Sequence, residues 1–484
     1  MMKAIRSILF LVLTPTLLHV AITAQEQPPA PGMPRTATIP SSKEKKLPNG
    51  LTVSSISKKG SPIVTVQLVI KRGASSESES KAGLADITAA MLTKGTKTRT
   101  ATQIAEAIEF LGGSIGSGAG WNNSFATVTV TSDKLPQAMA ILADVVLNPK
   151  FSQEELDLYK SQALDGLTYN LKQPSFLANY AASKYSYGEH PAGGTKASIG
   201  SITLKDVSDF YAANFHPDDA VLIFAGDTDS AVANSLATRY FGLWKRPTVR
   251  AEKGSSVSVP TENLPLYRRM LVIDLPKSGQ ASVVYANKLP SVGRLDPQFY
   301  RASVLNSVLG GGYSSRLNYE IRIKRGLSYG AGSSFVWRSS TANFGTSVQT
   351  KNESAAEVAE LILAELKRMI DVPVAEDELV PRKSVLTGSF GRSLETTGGL
   401  AASLTSLYSF GIPTSALNSH MGDINSVTSS EIKEFAGRYL PGGDIIICGD
   451  YSVFKNDLAK RFPGVKVDVI AADDLDLSKS DLRK

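Results

Sequence analysis

Few side chains in this 484-residue sequence are suited to chemistry: it has four histidines and one cysteine. The pair that stands out is Arg322 and Tyr329, on either side of Gly326. Residues 314–325 read as a helix with Gly326 as its C-cap. Arg322 then falls in the last turn, and Tyr329 opens the strand that begins Leu327-Ser328-Tyr329. Both side chains can leave the same sheet edge. A guanidinium and a phenol are both hydrogen-bond donors at ordinary pH, so the pair could bind an acceptor oxygen. The plainer account is that the helix dipole favours any cation in a last turn, a place Lys324 and Arg325 share, and that a tyrosine in a strand is ordinary.

Other candidates carry less. His190 lies in the loop Tyr187-Gly188-Glu189-His190-Pro191, and His216 precedes Pro217 in a helix-to-strand turn. Neither has a second ligand at metal spacing, so both are expected at the surface or in turns. Gly116, Gly118 and Gly120 lack the spacing and the preceding strand of a dinucleotide fingerprint. Gly310 to Gly312 are not followed by the Lys-Ser/Thr of a phosphate loop. Cys448, in an apolar run from Asp444 to Asp450, cannot form an internal disulfide and reads as a buried strand residue. The net charge of +7 falls to +5 once Lys3 and Arg6 leave with a signal segment, and no basic run interleaves with aromatics. Nucleic acid is therefore excluded as a partner.

The elements that must position these residues follow the apolar pattern. The start, MMKAIRSILFLVLTPTLLHVAITAQ, has the basic, apolar and small-residue regions of a secretory signal, so residues 1–24 are expected to be removed and the chain periplasmic or secreted. An uncleaved anchor is the lesser alternative, and no other segment has the length and apolarity of a span. Residues 25–44 are a Pro/Ser/Gln-rich linker. Strands are expected at 51–56 and 63–70, helices at 82–94 and 102–111, strands at 114–120 and 125–130, and a long helix from Ser152 capped through Glu155. The end of the first half recurs in the second. Ile202-Thr-Leu-Lys-Asp-Val207, Phe210 and Ala225-Gly226-Asp227 answer to Val427-Thr-Ser-Ser-Glu-Ile432, Phe435 and Cys448-Gly449-Asp450. The offset is 225 residues from Ile202 to Val427 and 223 from Gly226 to Gly449. A duplicated α+β unit accounts for it: domains at 45–245 and 269–470, a linker at 246–268, and a Asp/Lys/Ser-rich tail at 471–484 that is expected to fray.

The helix at 82–94 lies in KAGLADITAAMLTKGT. Its frame, Gly83, Leu84, Ala85, Met91, Leu92, Lys94, Gly95 and Thr96, resembles the zinc helix of the pitrilysin/insulinase metallopeptidase family, which includes the mitochondrial processing peptidases. In that family the frame carries H-x-x-E-H, two histidines sharing a helix face to bind zinc and a glutamate that activates its water. Here those three positions are Asp86, Ala89 and Ala90, and the later glutamate ligand falls on Gly166; Asp165 would serve only with the register slipped by one. The resemblance therefore implies a degenerate site with no metal bound by this chain. The segment LGGGYSSRLNYEIRIKRGLSYGAGSSF resembles the second domain of the same family, where an Arg and a Tyr matching Arg322 and Tyr329 hold substrate and stabilise its oxyanion. The implied fold is α+β: two tandem homologous domains, each an antiparallel sheet with helices packed on one face, closing as a clamshell around a chamber for unfolded peptide, which the family binds by strand addition. The implied role is the non-zinc subunit of a heterodimeric zinc endopeptidase whose paralogous H-x-x-E-H partner carries the zinc. A non-proteolytic binding or structural subunit is the alternative.

Overall fold

The computed structural model describes Ile39, residues 41–245 and residues 264–484. The expected signal and most of both linkers lie outside the described residues. Among the described residues no helix is long and apolar enough to cross a membrane.

Twelve strands form two six-stranded sheets. The first half contributes β1 (Lys43–Lys46), β2 (Thr52–Ser57), β3 (Ile63–Ile70), β4 (Ser114–Ala119), β5 (Ser124–Thr131) and β6 (Ala220–Gly226), in the order β1-β2-β6-β3-β5-β4. The second contributes β7 (Tyr267–Asp274), β8 (Ala281–Leu289), β9 (Ser328–Trp337), β10 (Ala342–Thr350), β11 (Gly443–Gly449) and β12 (Val467–Ala471), in the order β12-β7-β11-β8-β10-β9. Five strands correspond in place and sense. β6 runs parallel to β2 as β11 does to β7, and the rest of each ladder is antiparallel. Only the sixth strand differs: β1 lies antiparallel to β2, whereas β12 lies parallel to β7.

The duplicated segments fold alike because the same local signals start them. Thr203 caps the helix Leu204–Asn214 through a capping box with Asp206, and Thr428 caps Ser429–Tyr439 through one with Glu431. Each helix leads into a wholly buried strand, β6 or β11, that ends in glycine. At Gly226 the backbone is left-handed (φ 128°) and a Cβ would lie 2.2 Å from the Ile63 carbonyl oxygen, so only glycine fits. Cys448 is fully buried in β11 as expected, and burial pushes its thiol up to about 12.

One face of each sheet packs on its own half's helices. The opposite face is covered mainly by a helix from the other half. Leu177, Ala178, Ala181, Ala182 and Tyr185 of the helix Pro174–Tyr185 pack on Leu271, Ile273, Val284 and Ile446 of the second sheet. Leu400, Ala401, Leu404 and Leu407 of the helix Thr397–Phe410 pack on Ile56, Val69, Val221 and Ile223 of the first.

Four features differ from the expectation. β1 and β7 begin inside the stretches read as linkers, because each finds a neighbouring strand to pair with. The tail does not fray: Leu482 is fully buried against the second sheet, and a bridge pairs Leu475 with Arg483. The helix expected at 314–325 is a short α-turn, Arg316–Asn318, followed by a π-turn, Tyr319–Ile323.

Candidate functional site

The helix Leu84–Met91 keeps the frame, with Asp86, Ala89 and Ala90 at the ligand and base positions. Gly83 takes the left-handed conformation (φ 93°) that lets the chain enter the helix. Just upstream, the wholly buried Glu77 carboxylate accepts from the backbone N–H groups of Gly83 (2.8 Å) and Ala85 (2.6 Å), where the helix dipole favours negative charge. His190 Nε2 lies 3.1 Å from the same carboxylate. His190 is half-buried in its loop, and His216 is buried in its turn, 2.6 Å from the Ala213 carbonyl; both lie in a loop or turn as expected, but neither is a free surface residue.

At the ligand positions, Asp86 accepts a hydrogen bond from the Tyr159 hydroxyl (3.0 Å), which comes from the helix Gln153–Asn170. Burial, and then the Asp86 charge, push the Tyr159 phenol well above its ordinary value, so it stays a donor. Ala89 is fully buried, and Gly166, further along the Tyr159 helix, has open space where a side chain would be. Two methyl groups, an absent side chain and a carboxylate already bonded to a phenol do not fit a catalytic zinc. Among the described residues no group of three or more His, Cys, Asp or Glu is placed to hold a metal ion.

Arg322 and Tyr329 are brought together. Arg316, buried, makes a two-pronged ion pair with Glu378 (2.9 and 2.7 Å) and pins the start of the segment. Asn318 donates to the Tyr313 carbonyl and accepts from Ala331 N–H (3.2 Å), tying the glycine loop to β9. Lys324 and Arg325 are both drawn to Glu320. Arg322 is not. Among the described residues it has no carboxylate partner, and its guanidinium carbon lies 5.0 Å from the ring centre of Tyr313 and 4.7 Å from that of Tyr329. Cation–π contact of this kind holds a guanidinium while leaving its N–H donors free. Tyr329 is 90% exposed at the edge strand. No hydrogen bond or ion pair among the described residues joins this pair to the Leu84–Met91 helix. Sequence reasoning missed Tyr313, Tyr159 and Glu77; only Tyr313, directly after three glycines, carried a local signal.

Residues 52–186 match the family described as Insulinase (Peptidase family M16), and residues 201–385 match the Peptidase M16 inactive domain. The chain belongs to the M16 peptidase family. An uncharacterized zinc protease of Rickettsia felis is 27% identical over 351 residues, 70% of this chain and 81% of the relative. The non-peptidase homolog YmxG of Helicobacter pylori is 24% identical over 381 residues, 77% of this chain and 85% of the relative. Among solved M16 structures, the peptidase M16 inactive domain from Pseudomonas fluorescens superposes with a TM-score of 0.76 at 26% identity, covering 84% of this chain and 98% of that one. A protease from Helicobacter pylori shares the fold with a TM-score of 0.78 at 18% identity, covering 85% of this chain and 100% of that one. At the positions where a catalytic M16 member has its ligands and base, the chain has Asp86, Ala89, Ala90 and Gly166.

Proposed function

We propose that this chain is the non-zinc subunit of an exported, heterodimeric zinc endopeptidase. A paralogous partner bearing H-x-x-E-H supplies the metal, and this chain supplies Arg322 and Tyr329 to an unfolded peptide held between them. The observation that carries the reading is the uncompensated Arg322 guanidinium held beside two exposed tyrosine rings, Tyr313 and Tyr329, at 5.0 and 4.7 Å. A structural relic has no evident need for such a group, whereas a peptide carbonyl gaining negative charge does.

The test uses the reconstituted pair with a peptide substrate. Tyr329→Phe removes one donor and keeps the ring, and should lower turnover by about 10²–10³. Arg322→Ala should cost at least as much, and neither change should alter complex formation. A double variant that assembles and turns over at the wild-type rate overturns the proposal. The chain alone is expected to hold no stoichiometric zinc; elemental analysis finding one zinc per chain, lost in Asp86→Ala, would contradict that.

A second reading, a non-catalytic peptide-binding or structural core subunit, is favoured by the Tyr159–Asp86 hydrogen bond, which occupies the first ligand position. The relative named a non-peptidase homolog supports it as well. The double variant separates the two readings, since only the first requires loss of turnover.

A further inference from the structure

A cavity of about 470 Å³ opens between the turn after the helix Gln153–Asn170, the loop that reaches Lys196, and residues of the 471–484 tail. Asp86, Arg322 and Tyr329 do not line it, so it is separate from the site above. Its floor is leucine. Leu171, Leu275, Leu475 and Leu477 line it and pack against the cluster of the helix Pro174–Tyr185 and the second sheet, yet each is only half-buried. Apolar surface is thus left open in a hollow whose volume lies in the range of small-molecule sites, about 300–1,000 Å³. The tail builds one wall. Leu482 is fully buried, and Asp476 N–H bonds the Leu482 carbonyl (2.9 Å), so residues 476–482 form a hook that holds Leu475 and Leu477 in place.

The charges at the mouth do not balance. Lys172 and Lys196 are exposed there and have no ion pair among the described residues. Lys484 reaches only a backbone oxygen, the carbonyl of Asp473. On the acidic side, the Asp476 carboxylate is already used: it accepts from Ser478 N–H (3.0 Å) and lies 3.4 Å from the Lys479 ammonium. Asp473, exposed and without an ion pair among the described residues, is then the one unmatched acid against three lysines. An apolar hollow under a cationic rim matches an amphipathic anion. An unbranched hydrocarbon chain would bury on the leucines, and its head group would stay in water within reach of flexible four-carbon lysine stems.

We propose that this cavity binds a single-chain carboxylate of the medium-chain fatty acid class. The proposal does not depend on Arg322, Tyr329 or a zinc-bearing partner. Calorimetric titration of the full chain with octanoate, decanoate and dodecanoate tests it, with decanol and acetylated trileucine alongside. Decanoate should bind saturably at a stoichiometry of one and more tightly than decanol. From octanoate to decanoate the affinity should rise roughly fourfold per added methylene, the equivalent of about 0.8 kcal/mol for each buried CH₂. Replacing both rim lysines, Lys172→Gln with Lys196→Gln, should weaken decanoate about fivefold, as loss of exposed charge pairs does, and leave decanol unchanged. Leu477→Ser should instead weaken decanoate and decanol alike. The proposal is overturned if none of the three carboxylates binds saturably at millimolar concentration, if affinity is flat across chain lengths, if trileucine alone binds, or if the lysine variant and Leu477→Ser both bind decanoate as the parent does.

Discussion

Glu77 fixes the start of a helix that has lost its metal ligands, with two backbone N–H groups and His190 converging on one fully buried carboxylate. Glu77→Gln keeps the shape but turns one acceptor oxygen into a donor that faces another donor. An unsatisfied buried group of this kind costs about 1–3 kcal/mol, and urea unfolding should show a loss in that range. Asp86→Asn should cost less, since the amide oxygen can still accept from the half-buried Tyr159. If the two variants prove equally mild, Glu77 is not the anchor it looks to be. The contrast also shows what the sequence made legible. The missing ligands were readable because the frame Gly83 to Thr96 is local and its register is fixed by glycines. The Glu77–His190 contact was not, because its members are 113 residues apart and meet only when their two loops fold together. Arg322 and Tyr329 were found from the resemblance to the family's second domain; the Tyr313 ring, 5.0 Å from the guanidinium carbon, was not, since nothing in Gly-Gly-Gly-Tyr says where the ring will turn.

Capping boxes made the duplicated helices legible as elements, and the same boxes carry charge that can be titrated. Asp206, at the third position of the Leu204–Asn214 helix, also accepts from the Lys81 ammonium (2.8 Å), which links that helix to the approach of the Leu84–Met91 helix. Lys81, aided by Thr203, holds the Asp206 carboxyl down at about 2, against an ordinary 3.8. A carboxylate whose pKa is lower folded than unfolded stabilises fully above the unfolded value, and the contribution is lost as pH falls from about 4 through about 2. Because water screens this largely exposed pair, Asp206→Asn should lower stability at neutral pH by about 0.2–1 kcal/mol and flatten the acid limb in that window. An unchanged acid limb would mean that Lys81 and Asp206 are not coupled in the folded state. The π-turn at Tyr319–Ile323 was beyond the same kind of reading. Its residues suit an ordinary helix, but Asn318 is tied both to the Tyr313 carbonyl and to Ala331, and the turn between must widen to reach β9 in register.

On the scale of the whole molecule, the two halves are copies that cannot be separated without exposing a face of each sheet. The helix Pro174–Tyr185 belongs to the first half by sequence and to the second by packing, and Thr397–Phe410 reverses the arrangement. Periodicity shows that such helices have an apolar side but not which sheet receives it, so the exchange was invisible in the sequence. Its energetic consequence can be measured. Leu404, fully buried against the first sheet, and Leu177, against the second, should each cost about 2–5 kcal/mol when cut to alanine. Because each side chain lies in one half and stabilises the other, either change should lower the stability of both sheets together. Urea unfolding followed by tryptophan emission and by far-ultraviolet circular dichroism should then give coincident transitions, shifted equally. If Leu404→Ala instead splits the curve, with the first half unfolding early and the second unmoved, the halves are independent domains and the exchanged helices are only a cover. The same logic governs fragments. Residues 41–245 and 264–484 made apart should each be poorly soluble, since each leaves the five or more apolar side chains of one sheet face without the helix that covers them, and co-expression should restore a soluble one-to-one complex.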